Sequence, residues 1–150
     1  MPMSPLVAAE ELFQEFPLWK AHSRVEHEGD GTAYMIIEVD PPDQANVEHG
    51  LVIDTSNEEI TVGFDAYHSH FDSWSEDGKQ FGTLSALEFI KQLVSERVAI
   101  LSWWRDEEWC GSTQLEVKDG TVTLGWETET RGNRVRIRSW KGTLNHDAYA

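Results

Sequence analysis

The sequence predicts an α+β fold: a mostly antiparallel β-sheet with two α-helices in a single domain. Two local signals and one pattern support this. Asp119-Gly120 is a strong type I′ turn signal, and a two-residue loop there sets Val117 opposite Val122 and Leu115 opposite Leu124. Ser85 and Glu88 form a capping box, with Leu84 and Phe89 placed as a hydrophobic staple, so a helix starts at Ser85. The order helix, strands, hairpin, helix, strands completes the pattern. A chain of 150 residues can bury a core without metals or disulfides. No repeat, low-complexity tract or linker divides it.

In chain order, Ser4 as N-cap and Pro5 at the first helical position open a helix whose apolar stripe is Leu6, Ala9, Phe13 and Phe16, ended by Pro17. A strand is expected around His22 to Glu28, then a turn at Gly29-Asp30-Gly31. The β-branched run Ala33–Val39 is a better strand, bounded by Pro41-Pro42. Asp40 to Glu48 reads as a loop. A hairpin then turns at Ser56-Asn57, which pairs Ile53 with Ile60 and Leu51 with Val62, and sets Asp54 against Glu59.

Beyond Phe64, a regular continuation would put His68, His70 and Asp72 on the core face, at a high desolvation cost. A bulge or bend near Asp65-Ala66 is therefore expected, turning the histidines outward and Tyr67 and Phe71 inward. In the second helix Ala86, Phe89, Ile90, Leu93 and Val94 line one face and pack on a sheet. Val98 to Trp104 is apolar on both faces and reads as a central strand, ending at Arg105-Asp106-Glu107-Glu108-Trp109. After a turn at Arg131-Gly132-Asn133, Val135 and Ile137 face inward. Arg134, Arg136 and Arg138 face out, forming an exposed ladder with Glu127 and Glu129. Leu144 to Ala150 is expected to fray.

Charge narrows the function classes. The net charge is −15 and it is lopsided: residues 1–82 carry 17 acids against Lys20, Arg24 and Lys79, whereas residues 83–150 carry 10 acids and 9 bases. Phosphate recognition needs a basic patch, so nucleic acid and anionic membrane are disfavoured as partners; such a field favours a basic protein, a cation or no partner at all, acidity serving solubility alone. The single cysteine, Cys110, excludes an intrachain disulfide and suits a reducing compartment. The opening MPMSPLVAAEELF lacks the basic region and apolar run of a signal peptide, and no stretch is apolar enough to span a bilayer. A soluble cytoplasmic protein is the expectation.

Three chemistries compete. His68, His70 and Asp72 at alternate positions could ligate zinc or non-haem iron, although His-x-His is common on protein surfaces. A nucleophilic site lacks its signature: Cys110 lies between Trp109 and Gly111, and no G-x-S-x-G, P-loop or dinucleotide fingerprint is present, so no cofactor is expected. Binding has more behind it. Trp74 and Trp109 sit among acids, next to Asp72, Glu76 and Asp77 or Asp106, Glu107 and Glu108, whereas Trp19, Trp103, Trp104, Trp126 and Trp140 suit a core. Aromatic anchors ringed by charge are what a steered protein interface uses. The expected contact set is Asp65, Tyr67, His68, His70, Asp72, Trp74, Glu76, Asp77, Asp106, Glu107, Glu108 and Trp109.

The strand V-I-D-T followed by E-I-T-V-G-F and Y-H-S-H-F-D, within Val52 to Asp72, resembles bacterial immunity proteins of polymorphic toxin and contact-dependent inhibition systems. The likeness covers mainly Gly50 to Trp74, with a looser echo in the next helix and strand. It implies a non-catalytic protein that binds and blocks a cognate toxin domain, often a basic nuclease. It assigns no site residues.

Overall fold

The computed structural model describes residues 5–71, 85–122, 124 and 132–149, with backbone alone at 5–8. The fold is α+β, with antiparallel strands in two sheets. The chain divides into two compact units. One comprises Met1–Asp40, Gly50–Gly63 and His68–Ile90; the other comprises Pro41–His49, Phe64–Tyr67 and Lys91–Ala150.

In the first unit, α1 (Pro5–Glu15) gives way to a 3-10 turn at Pro17–His22. Pro17 ends the α-helix as expected but opens the tighter helix, because its fixed φ suits a first helical position. The buried positions of α1 include Ala9 and Leu12, the latter missed by the predicted stripe, and Phe16 stacks on Trp19 at 4.1 Å. The first sheet runs in the order β1 (Ser23–His27), β2 (Ala33–Val39), β3 (Leu51–Asp54), β4 (Ile60–Phe64), β5 (Tyr67–Phe71). Ile37, Val39, Leu51, Ile53, Ile60 and Val62 are all buried, so the apolar faces were read correctly.

The register of the central hairpin was not. Ile53 faces Val62 and Asp54 faces Thr61, a shift of two residues that preserves every face. The reason is Thr55, which is buried against β2: its Oγ1 accepts from the Met35 amide at 2.7 Å and its own amide donates to the Met35 carbonyl at 3.0 Å. The loop therefore lengthens to Ser56–Glu59, with Asn57 and Glu58 both left-handed. Asp54 avoids Glu59 and accepts from the Ser56 amide instead.

The segment after Phe64 is not a bulged continuation but a full reversal. Asp65-Ala66 makes a tight turn, Asp65 left-handed at φ 54°, and β5 returns alongside β4. His68 and His70 are exposed, and Tyr67 and Phe71 are half-buried, the orientation expected. The helix α2 (Ala86–Val94) starts as predicted, the Glu88 amide donating to Ser85 Oγ at 3.2 Å. Phe89 stacks against Phe71 at 5.6 Å.

In the second unit the sheet order is β10 (His146–Tyr149), β9 (Arg134–Arg138), β6 (Val98–Arg105), β7 (Glu108–Lys118), β8 (Thr121–Val122), with β6 central. The Asp119-Gly120 hairpin pairs Val117 with Val122 as predicted. One face buries Ala99, Leu101, Trp103, Leu115 and Ile137, with Leu124 packed against them. The C-terminal segment is not frayed: His146–Tyr149 pairs with β9, and the Asn145 side chain bonds the Ala45 carbonyl at 2.7 Å. Trp19, Trp103, Trp104 and Trp140 are buried, and Trp126 lies outside the described residues.

The arginines of β9 require the main correction. They do alternate away from the Ile137 face, yet Arg136 and Arg138 are buried. The segments 46–48 and 65–67 cover that face. Arg136 Nη2 donates to Asp65 Oδ1 at 2.8 Å, and Nη1 to Glu48 Oε1 at 2.7 Å. Arg138 takes Asp147 at 2.9 Å and, with Arg136, the Asn46 carbonyl. The expected partners Glu127 and Glu129 lie outside the described residues, as do Ser4 and Leu84.

The Asp65 side chain is 0 % exposed, so replacing its partner strands a buried carboxylate. Arg136→Met is expected to cost about 3–5 kcal/mol in urea denaturation. The double variant Asp65→Asn/Arg136→Met, which keeps the left-handed turn and the acceptor for the Glu48 amide, should recover part of that loss; simple additivity of the two single changes would contradict the pairing. Glu48 adds a pH dependence. The Arg136 hydrogen bond, opposed by some burial, holds its carboxyl below the ordinary value of 4.5. Its contribution is thus complete above that value and lost as pH falls through the lower folded-state value. Glu48→Gln should flatten this acid limb of the stability profile.

Candidate functional site

The β6–β7 hairpin ends in a two-residue turn at Asp106-Glu107, closed by Arg105 opposite Glu108 and Trp104 opposite Trp109. Asp106 adopts the left-handed backbone that such a turn needs (φ 56°), and aspartate is among the few residues that take it readily. Cys110 is the extra residue of a bulge between the Trp104–Trp109 and Trp103–Gly111 pairs. The bulge lies directly beside the tip. Asp106, Glu107, Glu108 and Trp109 are all exposed, the indole at 50 %.

This tip is held in place. The Asp106 amide donates to Asn133 Oδ1, and Asn133 Nδ2 donates back to Asp106 Oδ1, both at 3.0 Å. The Asn133 amide donates to the Trp104 carbonyl at 2.9 Å. Gly132 makes this approach possible: a Cβ there would sit 2.2 Å from the Trp104 carbonyl oxygen. Behind the tip, Trp104 is buried, its Nε1 donating to Ser102 Oγ at 2.8 Å. Arg134 and Arg136 lie over its ring at 5.2 and 5.8 Å. The sequence predicts only a turn at Arg131-Gly132-Asn133; the clamp that Asn133 makes depends on a residue 27 positions earlier.

The predicted contact residues separate into groups. Asp106, Glu107, Glu108 and Trp109 form one continuous exposed element. Asp65 is not on the surface, because it is consumed by Arg136 and by the Glu48 amide, which donates to it at 2.8 Å. Tyr67 is half-buried, its hydroxyl accepting from Gln114 Nε2 at 2.9 Å. His68 and His70 belong to the other unit, their rings edge to face at 5.4 Å. His70 Nδ1 lies 2.9 Å from Glu59 Oε1 and 3.0 Å from Thr61 Oγ1. Asp72, Trp74, Glu76 and Asp77 lie outside the described residues.

Among the described residues no group of three or more His, Cys, Asp or Glu could hold a metal ion, and no helix is long and apolar enough to cross a membrane. No family model, curated protein or solved structure matches the chain.

The clamp predicts a local effect. Asn133→Ala removes two reciprocal hydrogen bonds and should destabilise the protein by about 1–3 kcal/mol. Faster amide exchange at Asp106 to Trp109 should accompany that loss. Unchanged exchange at the tip would show that Asn133 does not hold it.

Proposed function

We propose that this chain is a bacterial immunity protein of the cytoplasm that binds and neutralises a basic toxin domain, with the β6–β7 tip as a principal contact. The observation that carries this reading is the clamped, exposed tip: an indole half in water, preceded by three exposed carboxylates. A large exposed aromatic in a fixed backbone loses little freedom on binding, and neighbouring carboxylates steer a basic partner toward it. The net charge of −15 extends that attraction over distance. The sequence resemblance within Val52 to Asp72 supplies the class of partner. No catalytic step is assigned to the chain.

A second reading, a metal-binding domain or metal-dependent enzyme using His68, His70 and Asp72, draws on one observation. Glu59 beside His70 Nδ1 is the kind of carboxylate that orients a ligating imidazole. Stoichiometric zinc or iron in untagged protein, lost in His68→Ala/His70→Ala, would favour it over the first.

The immunity reading is tested by capture followed by protection. A basic polypeptide retained from the source lysate at moderate salt should arrest growth when expressed alone, and this chain should restore growth. Trp109→Ala should weaken the complex by about 2 kcal/mol or more, roughly thirtyfold in Kd. Reversing Asp106, Glu107 and Glu108 to lysine should slow association and flatten its salt dependence. A captured protein that is harmless, or bound equally well by both variants, would sink the proposal.

A further inference from the structure

Strand pairing places four residues in one row across the second sheet. Trp109 on β7 faces Trp104 on β6, Trp104 faces Arg134 on β9, and Arg134 faces Tyr149 on β10. Directly opposed residues project from the same face, so the row is continuous. With strands about 4.8 Å apart, it runs roughly 14 Å from Trp109 to Tyr149. Both ends are open to solvent, Tyr149 at 73 %.

Arg134 is the unusual member. Its neighbours on β9 have carboxylates: Arg136 has Asp65 and Glu48, and Arg138 has Asp147. Among the described residues Arg134 has no ion-pair partner, unlike these two neighbours. Glu48 feels its charge, but Glu48 Oε1 is bonded to Arg136. The guanidinium lies over Trp104, and its Nε, like that of Arg136, is buried without an acceptor. The residue as a whole is only half-buried. A fixed, partly desolvated guanidinium is suited to a carboxylate brought from outside.

We infer that the partner-binding surface extends from the acidic tip across the row, over the buried Trp104, to Arg134 and Tyr149, and that Arg134 takes a carboxylate that the basic partner carries among its cations. This rests on the proposed binding role of the tip. Arg134 thereby sets register and selectivity. A uniformly cationic surface would be drawn to Glu107 and Glu108 but repelled two strands away, whereas a basic surface with one correctly placed acid satisfies both. Specificity by a local repulsive element inside an attractive field is a general device of protein interfaces.

Two peptide probes separate this inference from the tip reading: Ac-Lys-Lys-Lys-Glu-Lys-NH2 and its Gln isostere. Binding is followed by the indole N–H signal of Trp109 at low salt, assigned with Trp109→Phe. On charge alone the Gln peptide must bind an acidic protein more tightly, since it carries one more net positive charge. Arg134 reverses that order: the wild-type chain should prefer the Glu peptide, by about threefold. Arg134→Gln should restore preference for the Gln peptide. The wild-type ranking is decisive even if that variant does not fold. Both peptides shifting Trp109 with the Gln peptide tighter would overturn the role of Arg134 while leaving the tip reading intact. Neither peptide shifting Trp109 would overturn both.

Discussion

Arg136 and Asp65 stand 71 residues apart in the sequence and 2.8 Å apart in the fold, both nearly removed from water. Much of the second unit depends on that contact. Asp65 occupies a left-handed turn, and its amide donates to the His49 carbonyl while its carboxylate accepts from the Glu48 amide. Two separate segments, 41–49 and 64–67, are thus tied to each other and to β9. Ser112 and Gln114 on β7 extend the attachment through the Ala66 carbonyl and the Tyr67 hydroxyl. Such a network adds less stability than its short distances suggest, because desolvating the charges opposes the attraction. Removing one partner would leave a buried charge unpaired, and that is where the dependence lies.

The same strand that anchors the network also supports the candidate site. Arg136 reaches Asp65 and Glu48 with its two terminal nitrogens and lies over Trp104, while Arg134 covers the same indole from the adjacent position. Trp104 is therefore fixed from β9, and Trp109 directly opposite it inherits a fixed backbone. Asn133, one residue before β9, completes the support by holding Asp106. Rigidity and exposure coincide at Asp106–Trp109.

Much of the fold was legible because its signals are local. Asp119-Gly120 fixed its own hairpin register, Ser85 its helix start, and the apolar run Val98–Trp104 its place in the middle of a sheet. Where a distant residue intervened, local reasoning failed. Thr55 is held by Met35, twenty residues earlier, and this lengthened the hairpin loop that Asn57 alone seemed to define. The alternation Arg134, Arg136, Arg138 revealed the correct face but not its cover, because the carboxylates over it come from 71 and 88 positions away. For the same reason Asp65 looked like surface charge. In the site, the acids and Trp109 were visible as composition, whereas the reversal at Asp106-Glu107 and the alignment of Arg134 and Tyr149 with Trp109 emerge only from strand pairing.

The most direct measurement of the central claim is hydrogen–deuterium exchange on the chain, alone and in complex with a basic polypeptide retained from the source lysate. Protection concentrated at Asp106–Gly111 and at His146–Tyr149 is the predicted footprint, since these segments carry the two exposed ends of the row. A tight complex that leaves both segments exchanging as in the free protein would place the interface elsewhere and contradict the account.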